Sequence, residues 1–314
     1  MSPASTVRMA ALALLWGSGF LWIKIALNHG LSPAQITIAR CALGTATLLV
    51  LARHAGQRLP RSRATWGHLA VAALFCNAVP FALFALGEQT VDSGVAGVLN
   101  ATTPLWSLLI GLLLGTDRPL HRRRLTGLLL GFTGTLLIFA PWHRSGLLTW
   151  GALALLAAAA SYAVAFAHMS RKLTDAQAPL AVSAAQLLVA TGWTTLALPT
   201  AGPVDADLTA LLAVTILGIL GTGVTFYLNY RLIADEGATT AATVGYLLPV
   251  VSVALGALLL GENVGPRVFA GMAVVLVGVA LTRARGTAEP TPPPTRESRE
   301  TAEAGRGGAA RPVA

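Results

Sequence analysis

The chain has 314 residues, of which 54% are hydrophobic and only 11% charged, with a formal net charge of +9. A soluble domain carries about 25% charged residues, so this composition excludes a polar-coated globule. The positive charge does not mark a nucleic-acid binder, because the basic residues fall in short loops and a tail and form no basic face with interleaved aromatics.

Apolar blocks follow one another at 7–27, 32–52, 66–86, 93–114, 124–141, 146–169, 179–199, 208–230, 238–260 and 265–282. Each is near the length of about 20 residues that a helix needs to cross about 30 Å of hydrocarbon. The first lacks a small-residue cleavage site and is long for a signal peptide, so it is expected to stay as the first helix. Lipid offers no partner for backbone N–H and C=O groups, and the alternation of a β-barrel is missing. The expected fold is therefore an all-α membrane protein of ten transmembrane helices.

Cys41 and Cys76 each lie inside a block with no paired spacing and no neighbouring His, which indicates neither a disulfide framework nor a metal site. One set of alternate loops carries Arg53, Arg58, Arg61, Arg63, Arg118, Arg122, Arg123, Arg124, Arg171, Lys172 and Arg231, whereas the other holds only Arg144 and Arg267. Basic short loops stay in the cytoplasm, which predicts a multi-pass protein of the inner (plasma) membrane with both termini cytoplasmic. Residues 284–314, rich in Pro, Glu, Arg and Gly, read as a disordered cytoplasmic tail.

The chain also repeats itself. A shift of about 145 residues lays Pro104, Ser107, Gly111, Leu113 and Leu114 on Pro249, Ser252, Gly256, Leu258 and Leu259, with Asp117 on Glu262. One residue more pairs Ser32-Pro33 with Ala178-Pro179 and sets Arg40 opposite Gln186. Each half, 7–141 and 146–283, holds five blocks. Five is odd, so the second half must enter the membrane upside down, giving two inverted five-helix repeats, a common architecture of secondary transporters.

Trp16-Gly17-Ser18-Gly19-Phe20, the Ser-Pro before Arg40, the segment Gly94 to Leu114 containing Thr103-Pro104-Leu105-Trp106, and Ala238 to Glu262 ending Leu-Leu-Leu-Gly-Glu resemble the EamA branch of the drug/metabolite transporter superfamily. The resemblance covers about 7–283. It implies a ten-helix carrier, often an exporter, with a central cavity between the halves. The departure from the pattern is Gly115-Thr116-Asp117, where the first half lacks the Gly-Glu ending.

Arg40 is the deepest permanent charge, about 12 Å below the outer boundary at 1.5 Å per residue. Such a guanidinium must face the bundle interior or a wet cavity and find a partner. That partner is either an anionic substrate group or, in a structural clamp, backbone carbonyls or Glu88. Lys24 is close enough to the outer end to snorkel, while Glu88 and Glu262 read as solvated or capping acids at outer helix ends. The deep polar residues Asn77, Asn100, Tyr162, Gln186, Asn229 and Tyr246 are candidates to line a substrate pocket, because amides facing lipid are costly. Trp16 offers a stacking wall or plain packing. Pro104 and Pro249, at matched positions, are candidate hinges. Gly127, Gly131 and Gly134 offer a flat packing face.

These features predict a secondary transporter, an exporter, that moves a small polar or zwitterionic metabolite by alternating access. No cofactor and no catalytic group is indicated, and the expected partners are the small-molecule substrate and membrane lipid, with a homodimer left open. No nucleotide-binding Gly-Lys-Ser or Gly-Lys-Thr loop occurs. A membrane enzyme would need titratable residues clustered at one depth, which the sequence does not offer. A channel or a structural membrane protein is the alternative reading.

Overall fold

The computed structural model describes residues 3–113, 122–139, 149–173, 178–236, 244–245 and 247–283. Among these every regular element is helical. In chain order they are α1 (Pro3–Gly17), α2 (Gly19–Asn28), α3 (Pro33–His54), α4 (Arg63–Ala73), α5 (Val79–Gly87), α6 (Ser93–Asn100), α7 (Thr103–Leu113), α8 (Arg122–Phe139), α9 (Trp150–Lys172), α10 (Pro179–Thr195), α11 (Leu208–Gly218), α12 (Thr225–Glu236), α13 (Leu248–Leu260) and α14 (Pro266–Arg283). Tyr246, the acidic corner at Asp117 and the tail 284–314 lie outside the described residues.

Six stretches are long and apolar enough to cross a membrane: Pro3–Asn28, Pro33–His54, Arg63–Gly87, Ser93–Gly111, Trp150–Met169 and Leu208–Asn229. Leu180–Thr195, Val250–Leu260 and Pro266–Gly278 are shorter apolar helices. Large apolar side chains such as Leu14, Val50, Leu86, Phe132, Trp150 and Leu258 are exposed on outward faces. Water would not tolerate so many, and lipid does. The chain is an integral membrane protein.

Several spans are interrupted. Ser18 separates α1 from α2, with its hydroxyl donating to the Leu15 carbonyl. Ala101 and Thr102 separate α6 from α7, where the Thr102 and Thr103 hydroxyls cover the Leu99 and Asn100 carbonyls. Pro104 falls in the first turn of α7, and Pro249 in the first turn of α13. A proline there removes no intrahelical hydrogen bond, so the chain breaks before Pro104 instead of kinking at it.

Two other spans stay continuous through π-helical turns. Leu74–Ala78 joins α4 to α5, and Ile219–Val224 joins α11 to α12. An i→i+5 turn takes in one extra residue and leaves carbonyls short of partners. Pro80 has no N–H to offer, and the Phe75 carbonyl accepts instead from the Ser161 hydroxyl at 2.7 Å. In the second turn the Thr222 hydroxyl donates to the Leu217 carbonyl five residues back, at 3.0 Å.

α3 and α10 pack against each other in opposite directions. Gln57, after the end of α3, accepts from the Ala181 N–H at the start of α10 at 3.1 Å. At the other end Gln35 donates to the Gly202 and Pro203 carbonyls beyond α10, at 3.3 and 3.0 Å. Ala181 lies 146 residues after Gln35, and Pro203 lies 146 after Gln57, so the two contacts exchange repeat-equivalent positions. Midway, the hydroxyls of Thr45 and Thr191, themselves 146 residues apart, meet at 3.0 Å.

α8 and α14 cross through glycines. A Cβ on Gly278 would stand 2.5 Å from the Gly127 carbonyl and the Gly131 nitrogen, and one on Gly134 would stand 2.6 Å from the Gly271 carbonyl. These are backbone atoms that cannot rotate aside. Gly278→Val is expected to lower the melting temperature in detergent, at a cost of about 1–3 kcal/mol from overpacking. An unchanged melting temperature would contradict this crossing.

Candidate functional site

Helical segments from both halves bring the deep polar residues together. Arg40, half-buried on α3, donates through Nε to the Thr222 hydroxyl at 2.9 Å, and its guanidinium lies 3.7 Å above the Phe81 ring. The close approach of α3 to the second π turn allows this. Gly44 faces Thr222, where a Cβ would stand 2.8 Å from Cγ2, and a Cβ on Gly223 would stand 2.5 Å from the Thr47 side chain. The clamp expected from sequence through Glu88 is not the one observed: among the described residues Arg40 forms no ion pair with Glu88, and its partners are a hydroxyl and an aromatic face.

Gln186, on α10, donates through Nε2 to Asn77 Oδ1 at 2.6 Å, with both side chains buried. Asn77 belongs to the first π turn, as Thr222 belongs to the second. Gln186 stands 146 residues after Arg40, and Thr222 stands 145 after Asn77. The two hydrogen bonds are therefore repeat equivalents, each running from one half to the π turn of the other. Only one carries a charge.

Tyr162 of α9 stacks near Phe166 and Phe84, with ring centroids 6.1 Å away in each case, and lies near both Arg40 and Cys76. The Cys76 thiol in turn lies beside Gln186. Arg40, Tyr162, Cys76, Gln186 and Asn77 thus form one continuous polar strip inside the bundle. Asn77 Nδ2 and, on α6, Asn100 Oδ1 are buried without a hydrogen-bond partner among the described residues. Such groups are where an internal ligand or water would be held.

Other sequence candidates fall elsewhere. Trp16 packs with Leu12, Ala13, Leu232 and Val244, an apolar cluster of α1 and α12. Asn229 is half-buried on α12 and makes no side-chain hydrogen bond among the described residues. Lys24 does not snorkel: its ammonium donates to the Glu88 and Val91 carbonyls at 2.7 and 3.0 Å, capping the end of α5. Glu88 is not solvated either, being 0% exposed. Glu262 caps the N-terminus of α6, accepting from Ser93 N–H, Ser93 hydroxyl and Gly94 N–H at 2.8, 2.8 and 3.0 Å. Sequence reasoning missed Thr222, whose neighbours Gly221 and Gly223 mark a close helix approach, and Phe81.

The EamA-like transporter family model matches residues 6–140 and again residues 149–284. The chain belongs to the EamA-like transporter family. This EamA-like chain is 27% identical to the uncharacterized inner membrane transporter YedA of Escherichia coli over 86% of its length and 88% of that protein. It is 30% identical to an uncharacterized protein of Pseudomonas aeruginosa, covering 90% of this chain and 95% of that one. A solved structure matches with a TM-score of 0.65 at 21% identity, over 90% of this chain and 96% of the other, which bears on the fold. Membership of this family points to transport and away from enzymatic chemistry.

The ends of the bundle carry separate links. Arg8 pairs with Asp235 at one end. At the other, His29 Nδ1 lies 2.7 Å from Asp207, which also caps α11 by accepting from the Ala210 N–H at 2.9 Å. The Ala210 N–H foremost, and then His29, hold the Asp207 carboxyl below the ordinary range. Its contribution is thus complete above the unfolded Asp value of about 3.9 and fades as pH falls through the lower folded value. Asp207→Ala is expected to lower the melting temperature at pH 7 with a deficit that shrinks in acid; a deficit that grows on acidification would contradict the assignment.

The Gln186–Asn77 bond gives a second test. Gln186→Leu leaves Asn77 with two unpaired groups and is expected to cost about 1–3 kcal/mol. The double variant Gln186→Leu with Asn77→Leu should be less destabilised than the sum of the singles, as read in a thermal double-mutant cycle. Strict additivity would contradict direct contact.

Proposed function

We propose that this chain is a secondary carrier of the inner membrane, built as ten transmembrane helices in two inverted five-helix repeats, 7–141 and 146–283, that moves a small polar or zwitterionic metabolite by alternating access. The observation that carries the reading is the pair of repeat-equivalent hydrogen bonds, Arg40 to Thr222 and Gln186 to Asn77, which join each half to the π turn of the other. The opposed directions of α3 and α10 and the Thr45–Thr191 contact support an axis lying between these helices. Two interchangeable halves give inward-open and outward-open states of similar energy with a site between them.

In this reading Arg40 orients an anionic group of the substrate, exchanging its neutral partner Thr222 for an anionic one that the planar guanidinium can grip through two bonds. Asn77, Gln186, Asn100 and Tyr162 fix the remainder. Pro104, after the break between α6 and α7, and Pro249, in the first turn of α13, serve as hinges. Both termini face the cytoplasm, in keeping with the basic loops, and export is the favoured direction. The relatives described as inner membrane transporters support the location.

A channel would not show counterflow, whereas a carrier exchanges labelled for unlabelled substrate. A thermal-shift screen of metabolites against the purified chain finds the ligand, since a ligand stabilises the state it binds. With that ligand in proteoliposomes, saturable counterflow is expected, and Arg40→Ala should reduce it at least tenfold while the protein still inserts. Arg40→Lys should lie between, because a point charge cannot copy the planar fork. Counterflow kinetics unchanged in Arg40→Ala would remove Arg40 from the site.

A further inference from the structure

The polar strip leaves unused a second group of charges, at the end of the bundle away from Arg63. Lys24 from α2, Glu88 after α5 and Glu262 after α13 converge there, with Arg40 of α3 acting on Glu88 from deeper in the bundle. Two of these end-side groups already have hydrogen-bond partners. Lys24 holds two main-chain carbonyls, and Glu262 receives three donors at the start of α6. Glu88 differs from both. It is 0% exposed, and neither carboxylate oxygen has a hydrogen-bond partner among the described residues. Its nearest cation, the Lys24 ammonium, is turned to the main-chain oxygen of the same residue and not to its carboxylate.

Burial of Glu88 depends on how the helices meet. α5 packs on α9 at this end, where a Cβ on Gly87 would stand 2.8 Å from the Gly151 carbonyl. α2 closes over it through Lys24, and α6 with Glu262 closes a further side. The titratable and charged groups facing Glu88 from these elements are Lys24, Arg40 and Glu262, with Tyr162 the nearest on α9 beside Arg40. An ionised carboxylate stripped of water without compensating donors loses solvation that nothing returns, and taking up a proton removes that loss. Opening this end would restore water to it.

We infer that Glu88 is a proton-binding site: closure of this end of the bundle takes up one proton from the facing solution onto the Glu88 carboxylate, and opening releases it. The inference rests on the carrier reading only for its purpose, since the linkage between closure and protonation exists whether or not a substrate is moved. A single-proton linkage changes the closed-to-open ratio by at most tenfold per pH unit. In a working carrier the linkage would make the return of the empty protein depend on the pH at this face.

The test uses the full chain in liposomes, with Cys41→Ala and Cys76→Ala and nitroxide labels at Gln89→Cys and Asp205→Cys, both exposed positions at this end. Pulsed electron resonance distances read the closed fraction between pH 8 and pH 5, with no substrate present. Expected are a closed fraction that rises as pH falls, the loss of that response in Glu88→Gln, which stays closed throughout, and its retention in His29→Gln. The inference is overturned if the distances do not respond to pH, if the response survives in Glu88→Gln, or if it disappears with His29. Should Glu88→Gln fail to insert, Glu88→Asp decides: a displaced midpoint supports the site, and an unmoved midpoint refutes it. Because no transport is measured, a chain that carries nothing could still pass, so failure here and failure of the carrier reading are separable.

Discussion

Hydrocarbon offers no hydrogen-bond partner, and the rest of this structure follows from how one guanidinium answers that constraint. Arg40 cannot shed its charge, so it must be met inside the bundle. Thr222 meets it from the other half of the chain, and the Phe81 ring takes the face of the guanidinium. That contact requires α3 to lie against the π turn of Ile219–Val224, which in turn requires Gly44 and Gly223 at the crossing. A side chain at either glycine would collide with the facing helix and push the charge away from its partner.

The same problem is solved a second time without charge. Gln186 reaches Asn77 in the first π turn, so each half supplies one long polar side chain and one short acceptor. A π turn suits this use because the extra residue rotates a side chain off the regular helical face while side-chain hydroxyls cover the spare carbonyls. The Ser161 hydroxyl does so at Phe75, and the Thr222 hydroxyl does so at Leu217. The asymmetry between Arg40 and Gln186 gives the otherwise matched halves a chemical polarity, placing the permanent charge on one side of the Thr45–Thr191 contact.

Much of the helical content was legible, because blocks of apolar residues at membrane length leave no other solution. Arg40 and Gln186 were legible too, since depth and repeat position could be counted along the chain, as could the flat face of Gly127, Gly131 and Gly134. What could not be read were properties set by neighbours. Lys24 and Glu88 were counted from the ends of their helices as solvent-facing, yet the convergence of α2, α5 and α6 buries the acid and gives the ammonium two carbonyls. The π turns also escaped, because they differ from an α-helix by a single residue and leave the apolar pattern intact. Trp16 was placed correctly in its helix, but its apolar neighbours are fixed by α12 and Val244, far away in sequence.

In the proposed carrier the halves face the membrane in opposite senses, so that equivalent loops end on opposite sides. Arg58 and Val204, 146 residues apart, follow α3 and α10 and are both exposed. With Cys41 and Cys76 replaced by alanine, Arg58→Cys and Val204→Cys can be labelled singly in sealed, right-side-out membranes with a reagent that does not permeate. Val204→Cys is expected to label from outside and Arg58→Cys only after the membrane is opened. Labelling of both positions from the same side would contradict it.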